Sequence, residues 1–95
     1  MPRWRYQRAA LPHGLSPDTI GAVVYHAVHF LHLSELPKLQ AACMPTVHPG
    51  NTQGVLKALV EEGHVLIIED RYLLTVDLPR IAACMEEINS DIGAR

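Results

Sequence analysis

Residues 63–77 read GHVLIIEDRYLLTVD. Gly63 closes a helical segment, Thr52 to Glu62, at the point where a left-handed residue stops a helix without steric cost. Two apolar runs follow, Val65-Leu66-Ile67-Ile68 and Arg71-Tyr72-Leu73-Leu74-Thr75-Val76. The polar pair Glu69-Asp70 separates them. The pattern predicts a strand, a turn and a second antiparallel strand. Both runs are nearly continuous, so alternation between an inner and an outer face is weak. Glu69-Asp70 lacks the glycine that a two-residue primed turn prefers. A wider turn, or one that includes Arg71, is therefore expected.

Three helices are expected upstream and within this unit. Ser16 can cap the first, with Pro17 and Asp18 in its first turn. Ile20, Val23, Val24, Ala27, Val28 and Leu31 recur at helical spacing and predict a buried stripe, with Tyr25, His26 and His29 toward the other side. The helix is expected to end near His32. Ser34 starts a second helix, with Leu36, Leu39 and Cys43 inward and Ala42 beside them. It stops at Met44-Pro45, because the residue before proline avoids the helical region. Thr46 to Gly50 forms a turn. Asn51 caps the third helix, which turns Val55, Leu56, Leu59 and Val60 inward and Thr52, Gln53, Lys57 and Glu61 outward.

A fourth helix follows the hairpin. Asp77 can cap it and Pro79 suits its first turn. Ile81, Met85, Ile88 and Ile92 repeat at spacings of four, three and four, with Cys84 on the same side. Such a stripe either covers the domain or pairs with a second copy. The reading is one mainly α domain with a small antiparallel β-hairpin, preceded by a basic and aromatic arm over residues 1–15. The helical unit spans 16–77 and the C-terminal helix 78–95.

Charge is unevenly placed. The chain has 95 residues and a formal net charge of −2. Arg3, Arg5 and Arg8 interleave with Trp4 and Tyr6 in the arm. The remaining five basic residues face all ten acidic ones, a net −5. Phosphate-binding surfaces draw much of their affinity from Lys and Arg, so the body alone is a weak candidate for tight DNA binding. Cys43 and Cys84 lie far apart, as expected for reduced core thiols rather than a disulfide framework. No apolar run approaches the roughly 20 residues that span a bilayer, and the start lacks the apolar stretch of a signal peptide. A cytoplasmic protein with no membrane role is expected.

The Leu36–Cys43 helix, the Thr46–Gly50 turn, the Thr52–Glu62 helix ending in Glu62-Gly63-His64, and Arg71-Tyr72-Leu73-Leu74-Thr75 occur in an order that resembles a winged helix-turn-helix domain. The resemblance covers residues 16 to 76. It implies a third helix that enters the DNA major groove and a wing that touches the minor groove or the backbone. Many members of that family are bacterial or phage transcription regulators with a C-terminal dimerisation helix, which Ile81 to Ile92 resembles. Others have lost DNA binding and serve as protein-docking modules. The sparse positive charge of the third helix and the acidic wing tip depart from the DNA-binding pattern.

The expected partner is double-stranded DNA, bound by a homodimer without a cofactor in transcription regulation. Asn51, Thr52 and Gln53 would reach base edges. His48 and Lys57 would add backbone contacts, and Arg71 would act at the wing. Arg3, Arg5 and Arg8 would enter a minor groove or bind phosphates. Ile81, Cys84, Met85, Ile88 and Ile92 would form the dimer seam. The alternative partner is a protein, since Trp, Tyr and Arg are enriched among binding hot spots. His26, His29 and His32 are three apart, and the first two can face one another on a helix. Two further ligands would be needed for a tetrahedral metal site, and neither cysteine is placed to supply them, so no metal is expected. There is no glycine-rich phosphate loop, HExxH or nucleophile elbow. Glu86 and Glu87 point apart as helix neighbours. No catalytic residue is expected.

Overall fold

The computed structural model describes residues 11–16, 19–32, 34–44 and 46–93. These form four helices and a small three-stranded antiparallel sheet. Helix α1 (Ile20–Leu31) is capped by Thr19, whose Oγ1 accepts from the Ala22 amide at 3.3 Å. The cap expected at Ser16 is thus displaced. Ser16 instead offers its carbonyl to the Thr19 hydroxyl at 2.8 Å.

α1 is the centre of the fold. Val24, Ala27 and Val28 are buried as the stripe predicts, but so are Ala22, Tyr25 and His26. The expectation that Tyr25 and His26 fall on the side away from the buried stripe is therefore corrected. A helix that carries apolar side chains around most of its circumference is buried on most of it. Its core partners include Leu39 and Cys43, Val47, Leu56 and Leu59, and Val65 and Leu74. Both cysteines are buried, and neither forms a disulfide.

The chain leaves α1 through His32, a non-glycine residue with a φ of 57°. Residues Ser34–Glu35 then form β1, not the first turn of a helix. The Ser34 hydroxyl donates to the Leu31 carbonyl at 2.7 Å and satisfies one of the end carbonyls of α1. The pair is recruited to an open strand edge, with Ser34 opposite Tyr72 and Glu35 opposite Arg71. Helix α2 (Leu36–Cys43) follows at once and stops before Pro45.

Helix α3 (Pro49–Glu61) starts earlier than expected. His48 is its cap, with Nδ1 accepting from the Gly50 amide at 3.2 Å, and Asn51 lies inside the first turn. Proline suits a first helical position because its missing amide would be unpaired there anyway. The other end is a Schellman closure. Gly63, at φ 84°, donates to the Val60 carbonyl at 3.0 Å, and His64 donates to the Leu59 carbonyl at 2.9 Å.

Strands β2 (Val65–Ile68) and β3 (Arg71–Leu74) pair in register, Ile68 opposite Arg71. The sheet order is β1-β3-β2, so the expected two-stranded hairpin is a three-stranded sheet. The connection is a tight two-residue turn, with Glu69 at φ 46° and Asp70 at φ 66°. Two successive positive φ values give the primed geometry that matches strand twist. The short loop imposes it despite the missing glycine. Helix α4 (Leu78–Gly93) closes the chain. Asp77 Oδ1 accepts from the Arg80 amide at 3.4 Å, a cap bond at the position the sequence indicates.

Candidate nucleic-acid interface

On α3, Asn51, Gln53 and Lys57 are all exposed, with Gln53 and Lys57 on one flank and Asn51 about 160° round the helix from Gln53. Thr52 is not among them. It is fully buried, at 0 % exposure, and its hydroxyl donates to the His48 carbonyl at 3.3 Å. Starting the helix at Pro49 puts Thr52 one turn after the cap, and its bond to His48 draws it inward. Thr52 as a base-reading residue is therefore corrected. Gln40 Nε2 donates to the Pro49 carbonyl at 3.0 Å and ties α2 to this first turn.

Gly54 lies on the same flank. A Cβ there would meet nothing within 4 Å. A glycine inside a helix costs about 1 kcal/mol relative to alanine, and no neighbour within the molecule requires one here. What it supplies is a flat helix surface. Beside it an open cleft of about 580 Å³ runs between α3 and the hairpin, lined by Gln53, Lys57, Val60, Glu61, Ile67 and Tyr72. Ile67 is 49 % exposed. A neighbouring depression shares Gln53 and Tyr72 and adds Glu35, Glu69, Asp70 and Arg71. Sequence reasoning missed Ile67 and Tyr72 as cleft walls. Their signal is positional: they sit directly opposite one another in the β2–β3 register, on the face that carries buried Val65 and Leu74.

Arg71 points the other way. Its guanidinium pairs with Glu87 of α4 at 3.1 Å and comes within 4.0 Å of the Cys84 sulfur. The wing role expected for Arg71 thus meets a competing carboxylate in the same molecule. The pairing also places α4 against the outer face of the sheet, where Leu73 is buried. On α4, Cys84 is fully buried at 0 % and is removed from any dimer surface of the intact fold. Ile81 and Ile88 are half-buried, and Met85 is 44 % exposed. The Ile92 side chain and Arg3, Arg5 and Arg8 lie outside the described residues. His48 is exposed.

A second polar cluster joins α4 to α1. Arg80 donates to the His29 carbonyl and pairs through Nε with Asp77 at 3.1 Å. Burial, and then the Arg80 charge, hold the His29 imidazole below its usual value. Burial, and then Asp77, push the Tyr25 phenol upward. These groups fasten two helices. Among the described residues, no group of His, Cys, Asp or Glu is arranged to hold a metal ion, and no helix is long and apolar enough to cross a membrane.

Compared with known proteins, the chain matches no family model, and neither a curated protein nor a solved structure matches it significantly.

Proposed function

We propose that this is a winged helix-turn-helix transcription regulator that binds duplex DNA through the outward flank of α3. Helices α2 and α3 supply the helix-turn-helix and β2–β3 the wing. The observation that carries the reading is the exposed pair Gln53 and Lys57 beside the unobstructed Gly54, with Asn51 exposed in the first turn of the helix. Asn and Gln side chains match the paired donor and acceptor of adenine in the major groove, and Lys supplies a phosphate charge. The flat glycine surface lets α3 approach the groove floor. Glu69 and Asp70 repel phosphates, so α3 and the arginines of the arm carry the contacts.

Titrating labelled mixed-sequence duplex DNA at low salt tests this by fluorescence anisotropy. Binding is expected for the wild type and for Thr52→Val, with weakening in Gln53→Ala and Lys57→Ala. With Lys57, Arg3, Arg5 and Arg8 from each of two protomers, log K against log salt falls with a slope no steeper than about −7. Absence of binding at low ionic strength overturns the reading. A homodimer through α4 completes it, supported by exposed Met85 on an apolar stripe. Charged residues at Met85 and Ile88 are expected to dissociate it, and a folded, monomeric wild type in ultracentrifugation removes it.

A protein-docking role is the second reading. The half-exposed Ile67 and the carboxylates around the cleft favour it, since they suit a cationic partner better than a polyanion.

A further inference from the structure

The cleft beside α3 has a charge that DNA does not explain. Four carboxylates border its two continuous parts, Glu35, Glu61, Glu69 and Asp70. Opposite them stand Lys57 and an arginine, Arg71, already committed to Glu87. None of the four carboxylates pairs with a cation among the described residues. The cleft wall between them is apolar, with Val60, half-exposed Ile67 and the Tyr72 ring. Such a surface fits a short extended segment with several positive charges and an aromatic anchor. Carboxylates that share a restricted surface repel one another, and a bound cationic segment relieves that repulsion.

The chain contains one stretch with this chemistry. Residues 3–8 read RWRYQR, three arginines interleaved with Trp4 and Tyr6. Their charge of +3 equals the surplus of the four carboxylates over Lys57. The tether reaches about the width of the molecule. Leu11 packs against the core, and the seven residues back to Trp4 reach roughly 24 Å when extended. The short extents of the molecule are 26 and 25 Å.

We propose that residues 3–8 occupy the α3–hairpin cleft of their own molecule, with the arginines at the carboxylates and Trp4 on the Ile67–Tyr72 wall. A segment held there covers Gln53 and Lys57 and must leave before α3 engages DNA. That consequence rests on the DNA reading; the occupancy of the cleft does not.

Trp4 is the sole tryptophan of the chain, so the full-length protein reports on the segment without a label. The experiment measures its emission maximum and acrylamide quenching at low salt, against a synthetic peptide of residues 1–10. Blue-shifted emission and quenching well below the peptide are expected in the wild type. In Glu61→Gln/Glu69→Asn/Asp70→Gly the emission moves to the red and the quenching constant rises to that of the peptide. This variant removes three carboxylates while giving the turn the Asn-Gly pair it prefers, and circular dichroism checks its fold. Ile67→Ser, at an exposed position, acts in the same direction. Salt at 1 M releases the wild-type segment, because screening then acts over about 3 Å. Three results overturn the proposal. Wild-type Trp4 quenches like the peptide, its protection survives both the variants and salt, or its protection falls on dilution as exchange between copies requires. DNA titration of the same samples is a separate readout, so either proposal can fail alone.

Discussion

Helices α1 and α4 are both amphipathic in sequence, yet the fold uses them in opposite ways. α1 buries six of its twelve residues, including Tyr25 and His26. α4 is longer, but over residues 78–90 only Cys84 is fully buried. α1 is held by side-chain packing against α2, α3 and the sheet. α4 is held by a thin apolar contact and by charged groups, Arg71 with Glu87 and Arg80 with Asp77 and the His29 carbonyl. Packing of that first kind is close to that of a crystal and sensitive to a single methylene. Exposed ion pairs are worth far less. The contrast teaches that a helix can share its spacing with a core helix and still be an outer strap, available for a second surface.

Truncation within the packed core has the largest expected effect. Leu56→Ala, at a fully buried α3 position, should cost about 2–5 kcal/mol in urea denaturation. A loss below 1 kcal/mol would break the distinction between core and strap. Next comes the turn that joins β2 to β3. Glu69→Asn with Asp70→Gly should raise stability by about 1 kcal/mol, because both positions have positive φ. An unchanged denaturation midpoint would mean that the observed turn stores no strain.

The junction of the two helices gives a smaller, pH-dependent effect. The His29 imidazole is held below its ordinary 6.5 in the fold, first by burial and then by Arg80. Below that value the unfolded chain binds the proton more readily than the folded one. Stability is therefore present above pH 6.5 and declines as pH falls from 6.5 toward the lowered folded value. Urea midpoints at pH 7.5 and 5.5 should show the decline, and His29→Gln should reduce it. An identical pH dependence in the variant would detach His29 from the junction. The smallest effect belongs to Glu87→Gln. Removing this exposed partner of Arg71 should change stability by less than about 1 kcal/mol. A larger loss would make α4 part of the core after all.

Much of the architecture was legible because local chemistry and packing agree there. Gly63 ends α3, Pro45 ends α2, Asp77 caps α4, and Leu39, Cys43, Leu56 and Leu59 face inward. Two of the differences concern helix caps. Average preference points to Ser16 and Asn51, while the fold uses Thr19 and His48. Thr52 is hidden because it lies four and seven residues before Leu56 and Leu59, on the same buried stripe of α3, while Asn51, Gln53 and Lys57 remain exposed. A two-residue strand such as β1 has no periodicity to read. Its existence depends on the free edge of β3.

The sequence by itself determined the order of the four helices and the β2–β3 hairpin, the inward placement of Leu39, Cys43, Leu56 and Leu59, and the charge contrast between the arginine arm and the acidic body. These follow from spacing, side-chain chemistry and stop signals carried by neighbouring residues. Tertiary structure alone decided that Tyr25 and His26 go inside, that Ile67 and Tyr72 wall a cleft, and that Arg71 is spent on Glu87 rather than left free. Each of those outcomes depends on a surface supplied by residues distant in the chain, and periodicity within one segment carries no information about what arrives on its other side.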